Sequence, residues 1–137
     1  MSGSVTGGPK LILRLEGLGV LALSAFAYGQ WGSGWLWFAV FFLAPDLGML
    51  GYLGGKKLGA TSYNLSHSYI GAILCLAFGC YEHMTLAVSA GLIWAAHIGF
   101  DRLLGYGLKY ASGFGDTHLG VIGRPAKTND PHTSKNK

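Results

Sequence analysis

Residues 84–108 read MTLAVSAGLIWAAHIGFDRLLGYGL, and this stretch decides the class of protein. It is long enough to cross about 30 Å of hydrocarbon as a helix. Three ionisable residues, His97, Asp101 and Arg102, nevertheless lie in its second half. Charges at such depth cost about 2.5–3.5 kcal/mol each on insertion scales, so they must face protein rather than lipid. His97 and Asp101 are four residues apart, which places them on one helix face.

The composition of the whole chain agrees with a membrane protein. Half of the 137 residues are hydrophobic and 12% are charged, whereas soluble domains carry about 25% charged residues. Three further apolar segments precede residues 84–108. We therefore predict an all-α fold, an integral membrane bundle of four transmembrane helices. Their approximate bounds are 11–28, 35–53, 63–80 and 84–108.

The basic residues predict the orientation of this bundle. Lys10, Arg14, Lys56, Lys57 and Arg102 all fall on one side of the predicted topology. By the positive-inside rule both termini are then cytoplasmic, and the protein is a multi-pass protein of the inner (cytoplasmic) membrane. The net charge of +4 is spread over helix ends rather than clustered with aromatic residues, so nucleic acid is not an expected partner.

The ends of the chain differ from the 10–108 transmembrane domain. Residues 1–9 are small and are expected to be flexible, and residues 126–137 form a polar tail. Residues 109–125 are rich in glycine yet retain Leu119 and other apolar side chains. We expect this segment to fold back as a cytoplasmic lid or re-entrant loop, the alternative being an interfacial stretch with no part in chemistry.

The intramembrane polar residues of all four helices fall in the cytoplasmic half of the predicted bundle. We expect them to form one pocket that is open toward the cytoplasm. The expected catalytic residues, which are also the candidate metal ligands, are Asp46, His67, His97 and Asp101. The expected substrate-binding residues are Glu16, Tyr63, Asn64, Arg102 and His118. The alternative is a polar cluster that only fixes how the helices pack.

Several motifs resemble a known family. APDLGMLGYL at 44–53, YNLSHSY at 63–69, AHIGFDRLLGYGLKY at 96–110 and THLG at 117–120 are similar to the domain of unknown function 4260 family of small bacterial membrane proteins. The resemblance extends from RLEG at 14–17 through THLG. It implies a four-helix membrane protein and brings no established activity. More loosely, the APD, AHxxxD and THxG patterns resemble membrane-bound metal-dependent hydrolases.

The residue types leave three functions open. Histidines and carboxylates are ligands for zinc, iron or manganese, and such a metal would activate water for hydrolysis. Without a metal, Asp46 or Asp101 would act as a general acid or base in an isomerase, cyclase or epoxide-opening enzyme. Either enzyme would act on a hydrophobic or lipid-like molecule. The non-enzymatic alternatives are a haem- or pigment-binding protein that uses His97 and an accessory subunit of a membrane complex. The expected partners are the lipid bilayer, a hydrophobic small molecule or lipid, and further copies of the chain or a larger membrane complex.

Overall fold

The computed structural model describes residues 5–108 and 116–121. Apart from one pair of two-residue strands, every regular element in this part of the chain is a helix. We call the single 3₁₀ helix by that name and number the others in chain order. The elements are α1 (Gly7–Trp31), α2 (Trp35–Phe41), the 3₁₀ helix (Ala44–Gly54), α3 (Lys56–Ser66), α4 (Tyr69–Tyr81), α5 (Thr85–Leu104), β1 (Asp116–Thr117) and β2 (Gly120–Val121).

The central element is α5, which packs against both α1 and α4. Small residues allow this close approach, and Ala95, Ala96 and Gly99 are all buried. Two apolar clusters form along α5. One contains Tyr28, Leu92 and Ile93, and the other contains Ala72, Ala95 and Ile98. The predicted fourth helix thus forms the core of the protein.

Helices α1 and α5 approach most closely at two glycines. A β-carbon added to Gly17 would lie 2.7 Å from the carbonyl oxygen of Gly99, and one added to Gly99 would lie 2.7 Å from the carbonyl oxygen of Gly17. Since real β-carbons do not approach backbone atoms this closely, any side chain here would push the helices apart. Arg14 also joins the two helices, because its Nε donates to the carbonyl oxygen of Leu103 at 2.8 Å.

We expect Gly17→Ala to lower the stability of the protein by about 1–3 kcal/mol, because overpacking a tight contact has that cost. Gly19→Ala is the matched control, since a β-carbon there meets nothing within 4 Å. The control gains helix propensity, worth about 1 kcal/mol, without a steric conflict. Unfolding midpoints of the two variants in the same detergent measure the difference. Equal midpoints would show that α1 can shift along α5.

The predicted second helix, 35–53, is not a continuous α-helix. It is α2 followed, after Phe42 and Leu43, by the 3₁₀ helix. Pro45 explains the change, because proline removes one N–H donor and disfavours the α conformation in the residue before it. The N–H of Asp46 accordingly donates to the carbonyl oxygen of Leu43 at 3.0 Å, a three-residue spacing. Asp46 therefore lies in the first turn after a break.

The predicted third helix, 63–80, is also divided. The residues just before it, which lie between the predicted second and third helices, are helical as well. Helix α3 begins at Lys56 and ends at Ser66, and α4 begins at Tyr69. Between the 3₁₀ helix and α3 stands Gly55 with a φ of +115°, which glycine adopts without strain. The hairpin is tight, because a β-carbon on Gly48 or Gly51 would clash with Ser66 or Ser62. His67 therefore follows the last turn of α3, at the second break in the chain.

Two of the described helical stretches are long and apolar enough to cross a membrane, Gly7–Trp31 and Trp35–Gly54. Only 17% and 0% of the residues in their most apolar windows are buried, whereas the core helix of a soluble protein is mostly buried. Helix α4 is apolar but shorter, and α5 is not among the described stretches that are both long and apolar enough. The structure therefore supports two candidate spans, and the predicted bundle of four is not confirmed. The outer surface carries many exposed large apolar side chains, such as Leu23 and Leu36. The other boundaries differ modestly from prediction: α1 begins at Gly7, inside the segment 1–9.

Candidate metal centre

Two helix breaks and one helix face bring four side chains together. Asp46 follows the break after α2, and His67 lies in the break between α3 and α4. His97 and Asp101 come from successive turns of α5. One ligand atom from each of the four residues lies within 4.8 Å of the ligand atoms of the others. The structure therefore brings together the four residues that the sequence marked as candidate catalytic and metal-binding groups.

The distances within this cluster are short and nearly equal. Nε2 of His67 lies 3.0 Å from Oδ1 of Asp46 and 3.4 Å from Oδ2 of Asp101. Nε2 of His97 lies 3.2 Å from each of the same two oxygens. The two Nε2 atoms are 3.2 Å apart. Five of the six distances between the four ligand atoms thus fall between 3.0 and 3.4 Å.

Both ring nitrogens of His67 lie close to acceptor oxygens. Nδ1 is 3.0 Å from the carbonyl oxygen of Tyr63 and 2.9 Å from Oγ of Ser66. Nε2 is 3.0 Å from Oδ1 of Asp46, a carboxylate oxygen that also only accepts. With the proton on Nδ1, Nε2 is free to bind a cation, and such a cation would also contact the two carboxylates and the second imidazole.

His97 is held mainly by packing. It is fully buried, and its ring meets the edges of the Phe42 and His67 rings at centroid distances of 5.4 and 5.1 Å. Nδ1 of His97 is buried near the backbone of Phe42 without a well-formed hydrogen bond to any described residue. Its Nε2 is surrounded by Asp46, Asp101 and His67. This arrangement does not favour haem ligation by His97, because no open side remains at Nε2 for a flat macrocycle.

The geometry fits a divalent transition metal. Zinc–nitrogen bonds of about 2.0–2.1 Å imply ligand–ligand distances of about 3.3–3.4 Å in a regular tetrahedron. The five short distances are close to these values. Two carboxylates also carry the charge that a divalent ion neutralises, which lowers the cost of an ion in a weakly polar interior. Two imidazoles with carboxylates suit zinc, iron or manganese.

The two carboxylates differ in exposure. The side chain of Asp101 is 14% exposed, whereas that of Asp46 is 36% exposed. Both histidine side chains are 1% exposed. His67, His97 and Asp101 therefore form the buried side of the cluster, and Asp46 forms its accessible side. Two histidines and one carboxylate are a common three-residue set in metal sites that keep a position open for substrate or water.

The break at His67 frees backbone carbonyls, and side chains of α5 bind them. Nη2 of Arg102 donates to the carbonyl oxygen of His67 at 3.0 Å, and its Nη1 donates to that of Tyr106 at 3.2 Å. Nε1 of Trp94 donates to the carbonyl oxygen of Ser66 at 2.5 Å. Arg102, predicted to bind substrate, is therefore buried and holds the ligand-bearing backbone. Sequence reasoning missed Ser66 and Trp94, and the only signal was their position beside His67 and His97.

The other predicted substrate-binding residues lie at different distances from the cluster. The Tyr63 ring is buried and stacks on His67, with ring centroids 3.8 Å apart. Asn64 is half-buried on the next position of α3. Glu16 is exposed on α1. His118 lies outside the group of four ligands, in the turn between β1 and β2.

The turn at His118 is anchored to the end of the bundle. The N–H of Leu108 donates to Nδ1 of His118 at 2.8 Å, and the N–H of His118 donates to the carbonyl oxygen of Leu108 at 3.1 Å. The N–H of Val5 donates to the carbonyl oxygen of His118 at 2.7 Å. Leu119 is fully buried. Part of the predicted lid, 109–125, thus packs against the bundle. Residues 109–115, 122–125 and the predicted tail lie outside the described residues.

We expect the anchoring of this turn to weaken in acid. Burial, followed by the positive charge of Arg102, lowers the pKa of His118. A lowered histidine pKa stabilises the anchored form fully above the ordinary value of about 6.5. That contribution is lost as the pH falls from this value through the lowered pKa. The protection factor of the Leu108 amide in hydrogen exchange should follow this trend. His118→Asn keeps an acceptor for the Leu108 amide but does not titrate, so in this variant the protection factor of that amide should not change with pH. If the variant lost protection in acid as the wild type does, His118 would not be the titrating group.

A comparison with family models identifies the chain. The model described as domain of unknown function (DUF4260) matches residues 10–122. The chain belongs to this family. Its description carries no activity. No curated protein and no solved structure was found to match the chain. In this DUF4260 protein the cluster of Asp46, His67, His97 and Asp101 is therefore the feature that indicates function.

Proposed function

We propose that this DUF4260 protein is a multi-pass protein of the inner membrane in which the cluster binds one zinc, iron or manganese ion and hydrolyses a hydrophobic or lipid-like substrate. The observation that carries the proposal is the convergence of four ligand atoms, five of whose separations are 3.0–3.4 Å. Buried ionisable residues in a membrane protein are functional by default.

The surface supports the membrane part of the proposal. Helix α1 and the stretch Trp35–Gly54 are apolar, long and little buried, which suits a lipid environment. In a four-span arrangement the second and third crossings are the broken helices, α2 with the 3₁₀ helix and α3 with α4. Breaks at membrane depth are tolerated where they are buried in protein or line a polar cavity. Here both breaks carry cluster residues, Asp46 and His67.

We infer a different role for each residue from its position in the cluster. We assign His67, His97 and Asp101 as ligands, because they form the buried side of the cluster. A metal held by them would lower the pKa of a bound water and so supply a nucleophile at neutral pH. Asp46, the most exposed member, would supply the fourth ligand atom until water takes that place, and it would then accept a proton from the water. Tyr63 and Ser66 hold the His67 ring in its orientation.

Metal binding is the first test. Metal-free protein in lipid nanodiscs is titrated separately with Zn²⁺, Mn²⁺ and Fe²⁺, and the loaded protein is examined by X-ray absorption. We expect one ion per chain, a shell containing two imidazoles, and stabilisation of about 2.7 kcal/mol at 100 times the dissociation constant. A shell without imidazoles, or no stoichiometric binding, would overturn the proposal.

Hydrolysis is the second test. Metal-free and metal-loaded proteins are compared on p-nitrophenyl dodecanoate. We expect activity in the loaded form and a loss of at least about 100-fold in Asp46→Asn, since a general base contributes about 10²–10⁴-fold. His83→Asn is the control, because His83 is exposed, lies outside the cluster and has a φ of +53° that asparagine accepts. Activity that is equal without metal would favour metal-free acid–base chemistry instead.

A further inference from the structure

A large apolar cavity lies beside the cluster. Its volume is about 730 Å³, within the range of about 300–1,000 Å³ typical of small-molecule sites. It is bounded by α2, the 3₁₀ helix and α5, and its walls are almost entirely apolar. The largest side chains that line it are Trp37, Phe41, Leu47, Leu86, Ile93 and Trp94.

The cavity and the cluster share one face of α5. Leu86, Ala90 and Ile93 line the cavity, and their spacing of four and three residues follows one side of the helix. His97 and Asp101 continue the same stripe after two further steps of four residues. From Leu86 to His97 the rise along the helix is about 16 Å. A molecule lying along this face would therefore meet apolar side chains first and the cluster at its end.

The other walls come close to the cluster without including it. Pro45 and Leu47 line the cavity on either side of Asp46, and Ser66 lines it immediately before His67, whereas the four cluster residues themselves do not line it. Asp46 is the exposed member of the cluster. The cavity is open at the side, because its wall residues Trp37, Leu47 and Leu86 are 50%, 66% and 72% exposed. In a membrane, that opening faces hydrocarbon.

We propose that the cavity holds a hydrocarbon chain of an amphiphilic substrate, whose hydrolysable polar group extends beyond the end of the cavity to the cluster. This inference rests on the proposed function and names the substrate class of the same site. The lining has no charged residue, and its polar members are the serines Ser33, Ser66 and Ser89, so the cavity suits a hydrocarbon chain better than a sugar or a nucleotide, most of whose polar groups would lack partners there. The side opening admits a chain directly from the bilayer. The cavity would therefore recognise the hydrocarbon chain of the substrate by its shape, and the metal would bind its polar group.

The expected gain in affinity comes from packing and positioning. A chain that leaves lipid for the cavity changes one apolar environment for another, so the hydrophobic effect contributes little. Close contacts along the cavity wall and the placement of the head group at the metal remain favourable. Affinity should therefore increase with chain length only while added carbons still contact the wall.

Alkyl hydroxamic acids test this directly, because the hydroxamate binds metal and the chain can be varied. Cobalt-loaded protein in nanodiscs is titrated with acetohydroxamic, octanohydroxamic and dodecanohydroxamic acid, and binding is followed by the visible cobalt spectrum. Ala90→Trp and the smaller Ala90→Phe partly fill the cavity at an exposed position. Leu23→Trp, on the exposed face of α1, is the control. Each probe also partitions into the nanodisc lipid, but this partition is the same for every variant and does not affect the comparison between them.

We expect the wild-type protein and Leu23→Trp to bind the dodecyl probe at least about tenfold more tightly than the Ala90→Trp variant does. Acetohydroxamic acid should bind all proteins alike. An unchanged chain-length gain in Ala90→Trp would place the chain elsewhere and overturn the inference. Loss of acetohydroxamate binding in both Ala90 variants, or dissociation of an oligomer by them, would also overturn it. If no probe binds the wild-type protein, the metal site itself fails, which is a separate outcome.

Discussion

Replacing His97 by alanine is expected to abolish tight metal binding by this DUF4260 protein. Nε2 of His97 lies 3.2 Å from both carboxylate oxygens and from Nε2 of His67. Removing it leaves one imidazole and two carboxylates, so a bound ion would lose one of its two nitrogen ligands. Loss of outer-shell partners alone costs about 10–100-fold in metal affinity. Loss of this ligand should therefore cost more than about 100-fold.

Competitive titration with a coloured zinc chelator measures this change. His83→Asn is again the control, because it removes a histidine that is exposed and outside the cluster. Far-ultraviolet circular dichroism of metal-free His97→Ala should match that of the metal-free wild type, since α5 keeps its other buried contacts. An affinity within about threefold of wild type, with the helices intact, would mean that the ion binds elsewhere.

The convergence of the four ligands was predictable because three simple signals agree. The low content of charged residues, 12%, indicates a membrane protein. Charges are expensive in hydrocarbon, so the sequence predicts that those within the apolar segments share an interior site. The spacing of His97 and Asp101 fixes one helix face without any tertiary information. Topology then places Asp46 and His67 near the same depth. None of these steps requires knowledge of how the helices pack.

The two breaks were not predictable in the same way. Hydropathy is continuous across Phe42–Leu43, where both sides are apolar. At His67–Ser68 it changes, because KKLGATSYNLS before the break is polar and YIGAILCLAFGCY after it is apolar, and this change alone does not separate a break within a span from the start of one. Pro45 indicated a disturbance near Asp46, but the sequence near His67 has no proline. There the break is stabilised by Trp94 and Arg102, which are 28 and 35 residues from their acceptors. A local reading of the sequence cannot include donors that arrive from another helix.

The second large effect is expected for Arg102→Leu. Arg102 is buried and donates to the carbonyl oxygens of His67 and Tyr106. Leucine conserves the apolar contacts of the side chain but leaves the His67 carbonyl without its donor from Arg102. Hydrogen bonds to charged groups contribute about 1.5–3 kcal/mol each, so the variant should lose more than about 2 kcal/mol of stability. Because His67 is displaced with its backbone, metal affinity should fall about 10–100-fold as well.

Arg14→Leu is the matched control for Arg102→Leu. Arg14 also donates to a backbone carbonyl, that of Leu103 at 2.8 Å, but its side chain is exposed. Water can replace an exposed donor, so this variant should lose less than about 1 kcal/mol and keep its metal affinity. Detergent unfolding and chelator titration of both variants separate the two arginines. Similar losses in both would show that the charge at this end of the bundle matters, and that the donor to His67 does not.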